Sequence, residues 1–479
     1  MRLTRVASAA ALALGVAGCA VGPDYREPTS TLPAAWTTAD PPSAAQAAAA
    51  QAAPAPDPAW WRRFDDKLLD ELIGRALAAN TDLRIAGARL RAARAATVQA
   101  EAALWPTLGV YGSASRSTDG GRSPTSSYGL GFDAGWEIDL FGGLRRGVEA
   151  ADADAGSSAA TLAATQVSLV AEVARNYVLL RGYRQRLVIT RANLDNQAQT
   201  LQLTEWRAQA GLVGSLDVEQ ARANLEQTRA QEPLLQDAAV QTRNALAVLL
   251  NEAPQATAAR FAAAPEAAIP GIGAEPLLGV PADLLRRRPD IVAAERALAA
   301  ATARIGVAEA ARYPSFSLAG TIGLQGAALS ALSGSGAATR FVAGSLAAPI
   351  FDAGRLRQQV VIQTAQQEQA LAAYEAALAG ALRDVENARA ALANGRARGE
   401  ALAQAVQAAR NAALLASFRY RSGLVDFQTV LDTERSVRSL EDSQASTQAD
   451  TVIAMIQLYK ALGGGWSAET PSAAPAAQP

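Results

Sequence analysis

The sequence predicts an α+β membrane protein built from one unit repeated twice. Four transmembrane β-strands per chain would complete a 12-stranded trimeric barrel, joined to a long α-helical barrel. Three observations predict this. The first is an internal repeat. Trp105-Pro106-Thr107-Leu108 returns as Tyr313-Pro314-Ser315-Phe316, with the prolines 208 residues apart (314 − 106). Gly211-Leu212-Val213 returns as Gly423-Leu424-Val425, 212 apart (423 − 211). Leu246 to Leu250 matches Leu458 to Leu462 at the same offset, and Phe141-Gly142-Gly143-Leu144-Arg145 has an echo in Phe351-Asp352-Ala353-Gly354-Arg355. A near-constant offset over such a span means two copies of one large unit.

The second observation is the absence of helix breakers. From Leu144 to Arg207 there is no proline and little glycine, which predicts one helix of roughly 64 residues, about 95 Å long. Val173, Leu180, Leu187, Leu194 and Leu201 fall every seventh residue, and Leu371, Leu378, Val385, Leu392 and Val406 do so in the second copy, skipping Gly399. A sustained seven-residue repeat imposes a left-handed supercoil. The third observation is a period of two. Tyr128, Leu130, Phe132, Ala134, Trp136 and Ile138 alternate with Gly129, Gly131, Asp133, Gly135, Glu137 and Asp139. One face is apolar and the other small or acidic, as in a strand with lipid on one side and water on the other.

Composition narrows the class. Half the residues are apolar but only 5% are aromatic. Abundant alanine favours close-packed helices over a large compact core. The net charge of −1 gives no electrostatic case for nucleic acid. The chain has no histidine and a single cysteine, Cys19. That removes the commonest general base, His-based triads, thiolate metal clusters and internal disulfides. The chain is read as no enzyme, with no metal and no cofactor beyond a covalent lipid on Cys19.

In order along the chain, Arg2 and Arg5 precede an apolar run, Val6 to Val16, too short to span a bilayer and patterned as a secretory signal. Val16-Ala17-Gly18-Cys19 resembles a bacterial lipobox. Residues 1–18 would be a lipoprotein signal peptide, and 19–59 an acylated N-terminus with an Ala/Pro-rich tether. Ala20 rather than Asp after the cysteine fits sorting to the outer membrane. The first repeat covers 60–250. It holds a helix from Leu68 to about Ala79, a restart at Asn80 or Thr81, a β-hairpin at about 106–140, the long helix 144–207, and a helix 215–250. An irregular linker at 251–283 would wrap the helices as an equatorial belt. The second repeat covers 284–466, with a helix 290–311, a hairpin at about 314–350, a long helix 355–421 and a helix 427–462. Residues 467–479 read as a disordered tail. In the second hairpin Phe316, Leu318, Ile322 and Leu324 face outward, with Val342, Leu346, Ala348 and Ile350 on the fourth strand. The first strand, near Leu108 to Thr118, alternates poorly. Arg286, Arg287 and Arg288 are expected to finish a helix, with Pro289-Asp290 starting the next.

Four strands cannot close, and free sheet edges in lipid leave backbone groups unsatisfied at several kcal/mol each. Two chains would give a barrel of eight strands, whose interior side chains fill. Three give the first plausible conduit.

The segments Trp136-Glu137-Ile138-Asp139-Leu140-Phe141-Gly142, Leu284-Leu285-Arg286-Arg287-Arg288-Pro289-Asp290-Ile291, Pro349-Ile350-Phe351-Asp352-Ala353-Gly354 and Arg419-Tyr420-Arg421-Ser422-Gly423-Leu424-Val425-Asp426 carry a resemblance. The chain resembles the TolC-family outer-membrane efflux factors, in the acylated NodT/OprM branch that serves resistance-nodulation-division pumps. That resemblance implies a homotrimer in the outer membrane of a Gram-negative bacterium, extending into the periplasm. It implies partners too: a periplasmic adaptor protein, an inner-membrane efflux pump and outer-membrane lipid. It places the two glycine turns at the periplasmic tip, with Gly211, Leu212, Val213, Gly423, Leu424 and Val425 as adaptor contacts. Tyr420, Arg421 and Asp426 match the residues that close the tip, while Ser215 and Asp426 are also placed to cap the helices that follow. The expected function is an outer-membrane channel that passively conducts small molecules from adaptor and pump to the exterior. The alternatives are the outer-membrane component of a type I protein secretion system and a structural coiled-coil envelope lipoprotein. The water-facing strand surface argues against the latter.

Overall fold

A computed structural model of the chain describes residues 20–28, 58–118, 120, 124–263, 268–271 and 287–466. Cys19, the signal segment, most of the tether and the tail lie outside the described residues. After a 3₁₀ turn at Trp60–Phe64 come α1 (Lys67–Ala79), α2 (Thr81–Ala102), β1 (Thr107–Ser117), β2 (Thr125–Ile138), α3 (Gly143–Gln209), α4 (Ser215–Arg229), α5 (Gln231–Leu249) and α6 (Pro254–Ala263). The second half runs α7 (Pro289–Ala310), β3 (Ser315–Gly326), β4 (Ala338–Ala347), α8 (Arg355–Arg421) and α9 (Phe427–Ala461), with a 3₁₀ turn at Leu329–Ser333 inside the second hairpin. The long helices α3 and α8 each have 67 residues, about 100 Å at 1.5 Å per residue. Among the described residues no helix is long and apolar enough to cross a membrane.

The chain divides into two compact units. One comprises residues 1–30, 87–161 and 290–377, and the other 31–86, 162–289 and 378–479.

The first unit holds one antiparallel sheet in the order β1-β2-β3-β4. Its register puts Leu108 beside Ala134, Val110 beside Phe132, Phe132 beside Ile322, Trp136 beside Leu318, and Phe316 beside Leu346. Side chains alternate across a strand, so all these residues share one face. Phe316 is half-buried and the face is otherwise largely exposed: Leu108 by 75%, Phe132 by 53%, Ile322 by 55% and Val342, on the same face of β4, by 78%. An uncovered apolar face of this extent marks an interaction surface. The opposite face carries Ser113, Ser127, Asp133, Glu137, Ser317, Thr321 and Ser345. The residues just after Cys19 are strapped to this unit. Val21 N–H donates to Phe141 O at 3.1 Å. Buried Arg146 pairs with Asp24 at 2.6 Å and Glu149 at 2.7 Å.

The second unit is the larger core. Trp60 stacks on Tyr459 at 5.0 Å between centroids, among fully buried Leu69, Leu72, Leu246, Leu250, Met455 and Leu458. The heptad stripe runs through it: Val173, Leu180, Val385 and Leu392 are 0–1% exposed. Asp66 accepts from Leu68 and Leu69 N–H, capping α1, and from the Tyr177 hydroxyl.

Three expectations are corrected, and a fourth falls partly outside the described residues. The helix expected over 215–250 is two helices, α4 and α5. Pro233, at the third position of α5, has no N–H, and its ring clashes with the carbonyl four residues back. That carbonyl belongs to Arg229, where α4 ends. The linker expected to be irregular contains α6. The helix expected to finish in the arginine run falls on residues up to Arg286 that lie outside the described ones; Arg287 and Arg288 are themselves not helical. Buried Arg288 instead donates to Ala461 O at 3.0 Å, so its charge complements the C-terminal dipole of α9, a helix remote in sequence. β4 stops at Ala347, short of Ala348 and Ile350. Pro349 has no N–H to give a ladder, and β3 begins at Ser315 opposite Ala347.

Candidate functional site

The two glycine turns expected at the tip are built from the backbone upward. Gly211 and Gly423 take φ of 73° and 71°, a left-handed conformation that costs an L-residue about 1–2 kcal/mol. Nothing lies within 4 Å of a Cβ placed at either one, so the dihedral alone requires glycine. In the first turn Leu212 N–H donates to Arg207 O and Gly211 N–H to Ala208 O, both at 2.9 Å. In the second, Leu424 N–H donates to Arg419 O and Gly423 N–H to Tyr420 O, also at 2.9 Å. These bonds satisfy the last carbonyls of α3 and α8 and stop both helices.

The side chains of the tip separate into two groups. Leu212 and Leu424 are 68% and 74% exposed. Val213 and Val425 are half-buried instead. They pack on a small core of Ala221, Ala416, Tyr420, Phe427, Val430 and Leu431. Leu216, not singled out by the repeat, joins the exposed apolar set at 67%.

The three residues expected to close the tip have different surroundings. Tyr420 is buried, its ring 5.4 Å from that of Phe427. The Arg207 guanidinium lies 4.4 Å above the ring and donates to the Tyr420 carbonyl at 2.7 Å. Arg421 is exposed. Asp426 is exposed and caps α9, accepting from Thr429 N–H at 2.9 Å and the Thr429 hydroxyl at 2.5 Å. Those two donors hold its carboxyl below the ordinary carboxylate value. Ser215 makes no cap. The N-cap of α4 is Gly214, without a side-chain hydrogen bond.

Sequence reasoning missed a polar ladder that joins α3 to the second copy. Arg186 pairs with Asp442 at 2.6 and 3.0 Å, Asn193 donates to Glu441 at 3.1 Å, and Thr200 donates to Glu434 at 2.7 Å. Arg207 on Tyr420 is the fourth rung. The α3 members, 186, 193, 200 and 207, fall every seventh residue, the same spacing as the apolar stripe, and that spacing was the available signal. Burial raises the Glu434 carboxyl above its ordinary value, against the Thr200 hydrogen bond that lowers it.

Known proteins match over nearly the whole chain. The family model described as outer membrane efflux protein matches residues 72–252 and 280–464, one stretch on each repeat. The pyoverdine export outer membrane protein OpmQ of Pseudomonas putida is 34% identical over 452 residues, covering 92% of this chain and 93% of that protein. The solvent efflux pump outer membrane protein SrpC of Pseudomonas putida is 32% identical over 463 residues, covering 95% and 97%. The solved structure of the outer-membrane channel OprN superposes with a TM-score of 0.84 at 37% identity, covering 94% of this chain and all of that one.

Proposed function

We propose a working assembly from one established premise: the chain belongs to the outer membrane efflux protein family. Its members are the outer-membrane channels of efflux systems, and this chain is such a channel, placed in the outer membrane and conducting small molecules outward. In the assembly we propose, three copies close a twelve-stranded barrel, lipid meets the apolar face, and water meets the face that carries Asp133 and Glu137. The observation that carries this reading is the sheet itself. It has an uncovered apolar face, and both edge strands, β1 and β4, are paired on one side only. In lipid those edges must be satisfied, and a further copy of the chain is the partner that satisfies them.

The acyl chains on Cys19 anchor each copy beside the barrel. Ala20, the next residue, packs within 2.8 Å of the Cβ position at Gly142, where β2 gives way to α3. The tip docks a periplasmic adaptor through Leu212, Leu424 and Leu216, and the adaptor links the duct to an inner-membrane pump that supplies the energy. Tyr420, Arg421 and Asp426 lie at the second turn and close the tip, with Arg207 holding Tyr420 in place. The duct performs no chemical step and needs no cofactor. Cargo is set by the pump: relatives of near-equal identity are named for pyoverdine export and for solvent efflux, which points away from a selective wall.

Single-channel conductance in planar bilayers tests this, on wild type and Asp426→Ala. We expect a small, mostly closed conductance that rises in the mutant. A trimer by mass with no conductance in either protein would move closure to other residues. Neither conductance nor trimer would end the duct reading for this chain.

A further inference from the structure

The two hairpins are copies, and their registers fix how the copies correspond. Thr107 pairs with Gly135 in the first hairpin and Ser315 with Ala347 in the second. β1 therefore maps onto β3 with an offset of 208 (315 − 107), and β2 onto β4 with 212 (347 − 135). The long helices carry the same 212 (355 − 143 and 421 − 209). Gly142 and Gly354, at φ of 81° and 86°, coincide under it. The chain also shows how one copy joins the next: β2 pairs with β3, with Leu130 opposite Leu324.

In a closed barrel the corresponding junction joins β4 of one chain to β1 of its neighbour. The two offsets give its register. Leu130 becomes Val342 (130 + 212), and Leu324 becomes Arg116 (324 − 208). Val342 then stands opposite Arg116 of the neighbouring copy, and Arg340, two residues along β4, lies on the diagonal, about 7–8 Å away and within reach of long side chains.

Charge makes this position distinctive. On the apolar face, Arg116 and Arg340 are the only charged residues among the described strand residues. Both are exposed. The strand acids Asp133 and Glu137 point to the other face. Both arginines lie at the hairpin-loop end of their strands, Arg116 next to last in β1 and Arg340 third in β4. Two guanidiniums side by side on a lipid-facing surface repel one another unless an anion lies between them, and guanidinium binds phosphate through paired N–H donors. The surface beside them, Ile322, Leu324 and Val342, is apolar and exposed, so a phosphate attached to acyl chains fits better than a free one.

We propose that each β4–β1 seam carries a phosphate-binding site made of Arg340 of one copy and Arg116 of the next, and that it takes the phosphate of a lipid in the outward-facing leaflet. The site rests on the trimer proposed above. Disulfide trapping and native mass spectrometry of the full-length protein test it together. Arg116→Cys with Val342→Cys is expected to cross-link neighbouring copies, while Ala114→Cys with Val342→Cys is not. A reversed pattern overturns the register. The wild-type trimer is expected to retain up to three molecules of phosphorylated lipid A, and dephosphorylated lipid A at least tenfold less. Arg116→Gln with Arg340→Gln is expected to lose that preference, and the double Lys variant to keep part of it. Equal retention of both lipids by a trimer overturns the site and leaves the assembly standing. Retention that millimolar inorganic phosphate abolishes overturns the lipid as occupant. A chain that stays monomeric removes the seam, and the proposal with it.

Discussion

The two glycine turns have the same backbone and different fastenings. Their glycines differ by 2° in φ, and their closing hydrogen bonds have the same lengths. At an offset of 212, however, Gly214 stands where Asp426 caps α9, Ala208 where Tyr420 fills the small core, and Ser215 where Phe427 meets it. Duplication kept the signal that ends each long helix, and the copies diverged in what holds the next helix down. The second turn is tied by a cap, a buried aromatic pair and the Arg207 contact. The first is held by its backbone, by Val213 and Ala221 against the shared core, and by an exposed Arg222–Glu205 pair, with no cap and no aromatic of its own.

This contrast can be broken experimentally. The largest effect is expected from Tyr420→Ala, at about 3 kcal/mol for a buried aromatic. Hydrogen exchange should rise most in peptides spanning 417–430 and less in 205–218, where Arg207 and Val213 touch the same core. An equal rise in both would show that the first turn depends on the shared core as heavily as the second. Next, Gly211→Ala and Gly423→Ala should each cost about 1–2 kcal/mol, because the dihedral is the same in both. A large inequality in their thermal unfolding would mean that surroundings outweigh the backbone. Asp426→Ala should lower the unfolding temperature by less than either glycine variant, and Gly214→Asp should raise it slightly by giving the first turn the missing cap.

The smallest effect is a pH dependence. Burial raises Glu434 in the fold, so between its unfolded and folded values the folded state holds more protons, and stability falls as pH rises. Asp426 is lowered in the fold, so its contribution is present above its unfolded value and is lost on acidification. The two oppose each other. Glu434→Gln should remove the gain on mild acidification and leave the Asp426 loss, as read by unfolding temperature from neutral pH down through the carboxylate range.

Much of this architecture was legible because the signals were strong and local. The prolines before β1 and β3, the glycines after α3 and α8, and the alternation in β2 each act through backbone geometry that composition reveals directly. The missed features arise from a contest between two local rules or from distant partners. Pro233 breaks a helix in a segment otherwise rich in helix formers, and its counterpart is Ala445 (233 + 212), buried inside unbroken α9. Arg288 caps a helix 173 residues away, which no spacing within the arginine run reveals. At the tip, the turn residues were legible, but the burial of Tyr420 depends on Phe427 and Arg207 converging in space. The seven-residue polar ladder was written in α3 and masked by the apolar stripe of the same period.

The break at Ala230 has a mechanical consequence. α9 is a single rod of 35 residues, about 50 Å. The chain leaving the first turn is a lever of 15 residues, about 22 Å, with a joint at its far end. A pull on Leu424 loads α9 along its whole length and strains the rungs at Glu434, Glu441 and Asp442 together. The same pull on Leu212 meets its weakest point at Ala230, where Pro233 removes a helix hydrogen bond, and should yield there first. Removing the joint with Pro233→Ala should stiffen the short arm, seen as slower hydrogen exchange around 228–234. A partner gripping both turns would then meet equal resistance where the native chain gives one yielding arm and one stiff one.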